Sequence, residues 1–481
     1  MKNFDDYYKN FSGFERDLLR YSANDNMELE PDQLAVIRYA LNLARISSIR
    51  VRTKMDLFLE GDMENFKKNL ANALGNARSG LLGRAHKLDE KSLKAKIPFI
   101  KQEVRNCRNF ILEKHSAVLS SKRLDQECGE RKLVLALGGD GGSTLAHIGM
   151  LEALEEAGIR PAMIVGTGMG ALMGLIRARQ EAFDFQGILN KLPSGFNLSK
   201  IFKKYEGQTK YGLLGVFTLD SKEVGERILA TEKGSRIGAM SDLPIPLRVV
   251  ITGLKLQMRK RAEEAETRIV SATPGKKAIW RRVLVSLATS AAELAEEPSL
   301  LEKLVLGGDN VTSEMDALDA VGFGAAIPGV IHYDVYEDDS PTARILDGIF
   351  NDRGLYRVCD GVVVDNVPGR TAFEEVQKGV LGTRNAFILA CDCFAPRPTK
   401  DMLLYPLQVF VRNNAKASME FADLTLTYSN PPSPFRLLPR LDKLKKIRER
   451  SKEDFSEIAE SLKLGLKPLP PWDEIEIGRV D

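Results

Sequence analysis

The 481-residue chain has no stretch of about 18 uninterrupted apolar residues, the length a membrane-spanning helix needs. Its start, MKNFDDYYKN, lacks the basic stretch and apolar run of a secretory signal. Cysteines are few and odd in number: Cys107, Cys128, Cys359, Cys391 and Cys393. Cys391 and Cys393 stand two apart at the end of AFILACDCF, on one face of a strand, too tightly spaced for a normal disulfide and unlike a zinc ligand set. The five are read as reduced core thiols, and cytoplasmic residence follows as the expectation. No charge sign dominates: the net is +3, which points to no nucleic-acid partner. The two tryptophans, Trp280 and Trp472, carry no motif, and no internal repeat is visible.

What is present is a change of texture along the chain. Residues 1–128 read as a helical N-terminal region, with helices expected at Pro31–Ile46, Met55–Leu74 and Pro98–Val118. Leu34, Ile37, Leu41 and Ala44 line one face of the first. Residues 129–430 change to apolar runs, glycine-rich turns and helical segments in alternation: KLVLAL from Lys132, a helix from Leu145 to Ala157, PAMIV from Pro161, then a helix from Ala171 to Gln180. Strand, turn and helix at this spacing predict βαβ units and a mostly parallel sheet, an α/β fold. Further strands are expected at Leu247–Ile251, Gly361–Val364 and Ala386–Ala390, while residues 255–310 resist placement. The run RKRAEEAETR reads as a solvated helix face. Residues 431–481 form a Pro-rich and basic C-terminal tail. Its run from Arg436 to Lys452 is read as a solvated amphipathic helix, with contact to an anionic membrane surface as the sharper alternative.

Four motifs then follow in order. His147 to Pro161 reads HIGMLEALEEAGIRP, preceded by the glycine-rich turn Gly139-Asp140-Gly141-Gly142-Ser143-Thr144. Gly166-Thr167-Gly168-Met169-Gly170 forms a turn between strand and helix. Gly322 to Val330 reads GFGAAIPGV, and Asp360 to Pro368 reads DGVVVDNVP. Over about residues 131–430 the chain resembles the patatin-like phospholipases, whose motifs run GGGxRG, HxGxLxALxExGIxPD, GTSxG, ASxAIPxxF and DG[GA]xxxNxP. The resemblance implies a three-layer α/β/α fold with a mostly parallel central sheet. It also implies lipid acyl hydrolysis by a serine–aspartate dyad, with glycine-loop N–H groups holding the oxyanion and no cofactor or metal.

Carried over residue by residue, the resemblance puts the nucleophile at Gly168, which has no oxygen, and the dyad aspartate at Asp360, with Gly361 completing the DG motif. The oxyanion loop becomes Gly139, Asp140, Gly141 and Gly142, and the elbow Gly166, Thr167, Met169 and Gly170. Asp140 replaces a loop glycine, Ser143 the arginine, Thr144 the last glycine, Gly324 the serine of the third motif, and Val362 the small residue after DG. Asp140 either faces the oxyanion site, where its charge repels the charge that develops there, or points away and caps the helix near Leu145. A single engineered Ser→Gly change would not explain all these departures together, whereas natural loss of catalysis does. Glycine at the elbow also accepts positive φ without strain. His147, Asn366 and Pro368 read as structural.

The reading is therefore a family member without acyl-enzyme chemistry that binds a lipid, a fatty acyl group or a protein, with peripheral membrane contact through the basic tail. Two alternatives remain. One is an active phospholipase A or lysophospholipase whose nucleophile is displaced, with Ser143, Thr144 and Thr167 as candidates, or was mutated away. The other is a scaffold working through its helical N-terminal region. Joint action of Asp140 and Asp360 on a metal or a water is a further chemistry that paired carboxyls allow, without a third ligand of familiar spacing.

Overall fold

Along Lys132–Leu137 (β1) the side chains alternate between two apolar environments, and this period of two sets the layers. Leu133, Leu135 and Leu137 join one core, and Val134 and Ala136 another. The computed structural model describes residues 2–23, 29–52, 55–75, 78–79, 87–190, 201–204, 209–220, 225, 238–271, 297–396, 405–434 and 440–478. The rest of the main sheet is Met163–Thr167 (β2), Leu247–Lys255 (β3), Leu301–Leu306 (β4), Leu355–Asp360 (β5), Ala386–Asp392 (β6) and Leu424–Thr427 (β7). Its order is β4-β3-β2-β1-β6-β7, with β5 also on β3. The β3/β2, β2/β1, β1/β6 and β6/β7 pairings are parallel; β4 and β5 run antiparallel to β3. Leu137 pairs with Gly166, so the turns after β1 and β2 leave the sheet side by side.

The helices used below are Lys2–Ala23 (α1), Pro31–Arg45 (α2), Glu64–Gly75 (α3), Glu90–Lys114 (α4), Ser121–Gly129 (α5), His147–Glu156 (α6), Met169–Ala178 (α7), Ala317–Gly324 (α8), Val362–Asp365 (α9), Gly369–Gln377 (α10), Tyr405–Met419 (α11), Leu441–Leu466 (α12) and Trp472–Ile477 (α13); Phe185–Asn190, Arg259–Ser271, Pro341–Arg353 and short 3-10 turns lie between. Ile148 of α6, Leu175 of α7 and Phe455, Ile458 and Leu462 of α12 cover one face of the sheet. Phe373 and Val376 of α10, Ala415 of α11, and Phe4 and Tyr8 of α1 cover the other. The fold is a three-layer α/β/α sandwich around a mostly parallel sheet, preceded by a helical N-terminal region with a core of its own.

Several boundaries depart from expectation. Met55–Phe58, expected to open a helix, pairs antiparallel with Ser48–Arg52; the helix behind it starts at Glu64. Gly361–Val364 is not a strand: the strand is Leu355–Asp360, and Val362 begins a helical turn. The strands Leu301–Leu306 and Leu424–Thr427 had no counterpart in the pattern, being short and paired on one edge. The basic helix α12 is amphipathic but not a free tail. Leu444, Phe455, Ile458 and Leu462 are buried, and Arg448 and Lys452 form ion pairs with Glu152 and Glu156 of α6. Gly149 makes the contact close, since a Cβ there would lie 2.1 Å from the Arg448 carbonyl oxygen. Trp472 packs on Tyr39 of α2, while Trp280 lies outside the described residues.

Candidate active site

β2 ends in Thr167, and α7 begins at Met169, so Gly168 makes the whole turn, with φ 59° and ψ −143°. The turn is sharp because its flanking glycines let backbones touch. A Cβ on Gly166 would lie 2.5 Å from the Ala171 Cα, and one on Gly170 2.5 Å from the Leu137 oxygen. This strained strand-to-helix elbow is the geometry that lifts a nucleophile above a sheet. Here the space for the nucleophile has closed. A Cβ on Gly168 would stand 2.6 Å from the Gly139 carbonyl oxygen, 2.9 Å from Val362 Cγ2 and 3.3 Å from Asp140 Oδ1. Gly324, at the end of α8, has also closed in: its own Cβ would meet Val249 Cγ1 at 2.7 Å and the Gly168 oxygen at 3.9 Å.

The glycine-rich turn lies over this elbow. Gly139 has φ 101° and Gly141 φ 54°, conformations open to glycine and strained for other residues. The Gly139 N–H bonds the Asn366 oxygen at 3.3 Å. Asp140 both caps and faces inward. One carboxyl oxygen accepts the Gly141 N–H at 2.8 Å. The Gly142 N–H donates to the Pro434 carbonyl at 2.7 Å, so the chain after β7 closes the loop from outside. Two N–H groups of the glycine-rich turn, those of Gly141 and Gly142, are thus taken by groups of the chain itself.

Asp360 ends β5 and its side chain is buried. Its Oδ1 accepts the Val362 N–H at 3.0 Å, and its backbone oxygen accepts the Thr252 hydroxyl at 2.7 Å. Asp360 Oδ2 receives no N–H or O–H from a described residue. The Asp140 and Asp360 carboxyls each shift the other's titration. Burial pushes the Asp140 carboxyl up to about 6, against the pull of the Gly141 and Met169 N–H groups. Burial and the Asp140 charge raise Asp360 well above the carboxylate range. Gly361 follows with no room for a side chain: its Cβ would lie 2.4 Å from the Val250 oxygen.

The remaining candidates have other work. Ser143 Oγ donates to the Asp140 oxygen at 2.6 Å, and Thr144 Oγ1 to the Gly141 oxygen at 2.8 Å, so both hydroxyls hold the turn. Thr167 Oγ1 is buried with no hydrogen-bond partner among the described residues. His147 donates from Nε2 to the Gly138 oxygen at 2.8 Å and accepts the Tyr428 hydroxyl on Nδ1 at 3.0 Å. Burial lowers it to about 4, so it is neutral and structural. Pro434 went unnoticed in the sequence, and Cys393 was read there as a core thiol without a place beside the glycine-rich turn. The Cys393 thiol lies 2.1 Å from where a Gly139 Cβ would be, and Pro434 belongs to a stretch without any motif. Among the described residues, no group of three His, Cys, Asp or Glu could hold a metal ion, and no helix is long and apolar enough to cross a membrane.

Comparison with known proteins agrees with this arrangement. Residues 135–373 match the model of the patatin-like phospholipase family. Lysophospholipase nte1 of Aspergillus fumigatus is 48% identical over 52 residues, 11% of this chain and 3% of that protein. The Neurospora crassa protein of that name is 46% identical over the same length. Neuropathy target esterase sws of Drosophila melanogaster is 55% identical over 42 residues, 9% of this chain and 3% of that protein. The match thus spans a small fraction of these relatives' length. The elbow, the glycine-rich turn and the buried DG aspartate, found together in the order that the family model spans, make this chain a member of the patatin-like phospholipase family.

Proposed function

We propose that this chain is a patatin-fold protein that does not form an acyl-enzyme and acts by binding, with an anionic lipid surface as its first candidate partner. The observation that carries the first half is the closed space at position 168, where any Cβ would meet the Gly139 carbonyl at 2.6 Å. Covalent acyl transfer needs a nucleophile, and the donors that would stabilise its oxyanion are bonded internally. A displaced nucleophile gains no support at Ser143 and Thr144, which spend their hydroxyls on backbone carbonyls; Thr167, whose buried Oγ1 has no partner among the described residues, is the candidate left. The second half rests on Lys443, Lys445 and Lys446, exposed on α12, where each cation near an anionic surface contributes about 1 kcal/mol. The relatives' names, lysophospholipase and esterase, make a lysophospholipid the first lipid to try.

Two measurements test the reading. A fluorophosphonate probe and a p-nitrophenyl acyl ester should give no labelling and no turnover above an Asp360→Asn control. Labelling of any residue of the site would refute the first half. In vesicle sedimentation, binding should appear with phosphatidylserine, be absent with phosphatidylcholine alone, and be lost in a Lys443→Glu/Lys446→Glu variant. Equal partition to both vesicles would refute the lipid half.

A further inference from the structure

The chain after β7 is tied down at three points, and the last of them is the glycine-rich turn. The Tyr428 hydroxyl donates to His147 of α6 at 3.0 Å. The Ser429 N–H donates to Asp454 of α12 at 3.2 Å, and Arg450 Nε of α12 donates to Ser429 Oγ at 3.3 Å. The Pro434 carbonyl then accepts the Gly142 N–H at 2.7 Å. We propose that residues 428–434 are an autoinhibitory strap on the glycine-rich turn. The first half of α12 locks it, and an anionic lipid surface releases it by taking Arg448 and Lys452 from Glu152 and Glu156. The proposal rests on the reading of α12 as the lipid-facing helix and adds what that contact regulates.

The strap stands where a ligand oxygen would. Gly142 is buried, and the Pro434 carbonyl oxygen uses its N–H as an ester or phosphate oxygen would. The approach is close because position 141 is glycine: a Cβ there would lie 2.1 Å from that oxygen. The strap is also stiff. Pro431, Pro432 and Pro434 have φ fixed by their rings, so a displacement at one end reaches the other.

The hold on α12 is uneven along its length. Its second half sends Phe455, Ile458 and Leu462 into the sheet core. In the first half Leu444 is the one buried apolar side chain among the described residues. Charge does much of the rest. Arg448 lies 3.4 Å from Glu152, and Lys452 lies 3.5 Å from Glu152 and 2.5 Å from Glu156. These pairs are partly exposed, and such pairs are weak and exchangeable. Lys443, Lys445 and Lys446 are exposed on the same stretch, so an anionic surface is drawn to this half. Its phosphate and carboxylate oxygens offer Arg448 and Lys452 the same bonds that the glutamates give. Ser429 is bonded to Arg450 and Asp454, so lifting this half of the helix draws the strap with it and frees the Gly142 N–H.

The test is amide hydrogen exchange of the whole chain, read at residues 139–146 with β1 as the control. Vesicles of phosphatidylserine and phosphatidylcholine should speed exchange in 139–146 about tenfold or more; vesicles of phosphatidylcholine alone should not, and β1 should stay level. Without vesicles, a Glu152→Gln/Glu156→Gln variant should exchange about threefold faster or more in 139–146, because the pairs that lock the strap are gone. Wild type that sediments with the anionic vesicles and keeps its solution profile in 139–146 would overturn the strap and leave the lipid reading standing. A protein that binds neither vesicle would overturn the lipid reading and the release with it. The lock is judged by the glutamine variant in solution, and a profile equal to that of wild type would overturn it.

Discussion

Restoring the family's serine with Gly168→Ser should neither restore hydrolysis nor leave the fold unharmed. Two strains add. Position 168 holds φ 59° and ψ −143°, a region where a non-glycine residue costs about 1–3 kcal/mol. The new Cβ then comes within 2.6 Å of the Gly139 oxygen and 2.9 Å of Val362 Cγ2, overpacking of the kind that costs about 1–3 kcal/mol more. The sum, about 2–6 kcal/mol, is a large share of the ~5–15 kcal/mol that holds a typical domain together. Catalysis should stay low because Asp140 occupies the Gly141 N–H, and losing one oxyanion donor costs about 10²–10³ in rate. A double variant, Gly168→Ser with Asp140→Gly, should therefore turn over p-nitrophenyl ester at least ~10²-fold faster than Gly168→Ser alone. The assays are ester hydrolysis, fluorophosphonate labelling and urea unfolding of the three proteins. If Gly168→Ser alone gave enzyme-like turnover at wild-type stability, the space at the elbow would not be closed and the reasoning would fail.

Other expectations follow from the same contacts. Gly141→Ala should destabilise the fold by several kcal/mol, because φ is 54° and its Cβ would sit 2.1 Å from the Pro434 oxygen; urea unfolding reads it. Gly149→Ala should loosen α12 from α6, seen as faster amide exchange in Leu441–Leu466 with the β1 amides unchanged. Glu15 is buried with Arg45 and Arg131, and Arg131 also reaches Asp423 at 2.8 Å. Burial pushes the Glu15 carboxyl up, but Arg131, Arg45 and Arg38 together pull it down to about 2. Its contribution is therefore complete above about pH 4.5 and lost as pH falls through about 2. Glu15→Gln should lower stability near neutral pH by about 3–5 kcal/mol and flatten that acid limb, in unfolding midpoints followed by circular dichroism.

The sheet was legible where each strand is bounded by a glycine turn and followed by a helix, as with KLVLAL and PAMIV. The hairpin Ser48–Arg52 with Met55–Phe58 was not, because Met, Asp, Leu and Phe in a row fit a helix as well as a strand, and pairing decided between them. The aspartate strand was misplaced by about one turn. Leu355–Asp360 carries an arginine and a tyrosine, while the more apolar Val362–Val364 turns into a helix after Gly361. The site residues were legible as a set, since motif order places them. The direction of the Asp140 side chain was open, and it resolves as both readings at once: it caps the turn and faces the elbow. Pro434 was invisible, and Cys393 was legible as a core thiol but not as a neighbour of the glycine-rich turn, because a backbone carbonyl and a buried thiol contribute through position, and position comes from the packing of α12 and β6.

Retention of Asp360 in a chain with glycine at position 168 invites the inference that some hydrolysis survives. The geometry removes the need for it. Asp360 accepts the Val362 N–H, and its backbone oxygen anchors Thr252 of β3. Replacing it by alanine would strip a buried partner from the first turn of α9, a structural penalty of about 1–3 kcal/mol whether or not any ester is cleaved. The two departures at the elbow also depend on one another. Without a side chain at 168, the Gly139 carbonyl and Val362 can approach to distances that a serine forbids. Once they have approached, Asp140 lies against the elbow and bonds the Gly141 N–H, which an oxyanion would have used. An aspartate at 140 would burden a working enzyme, since its charge opposes the charge of the intermediate. Beside glycine at 168 it becomes the group that satisfies that donor. Position 140 is thus tolerable only because position 168 is glycine, and the pair should be read, and mutated, together.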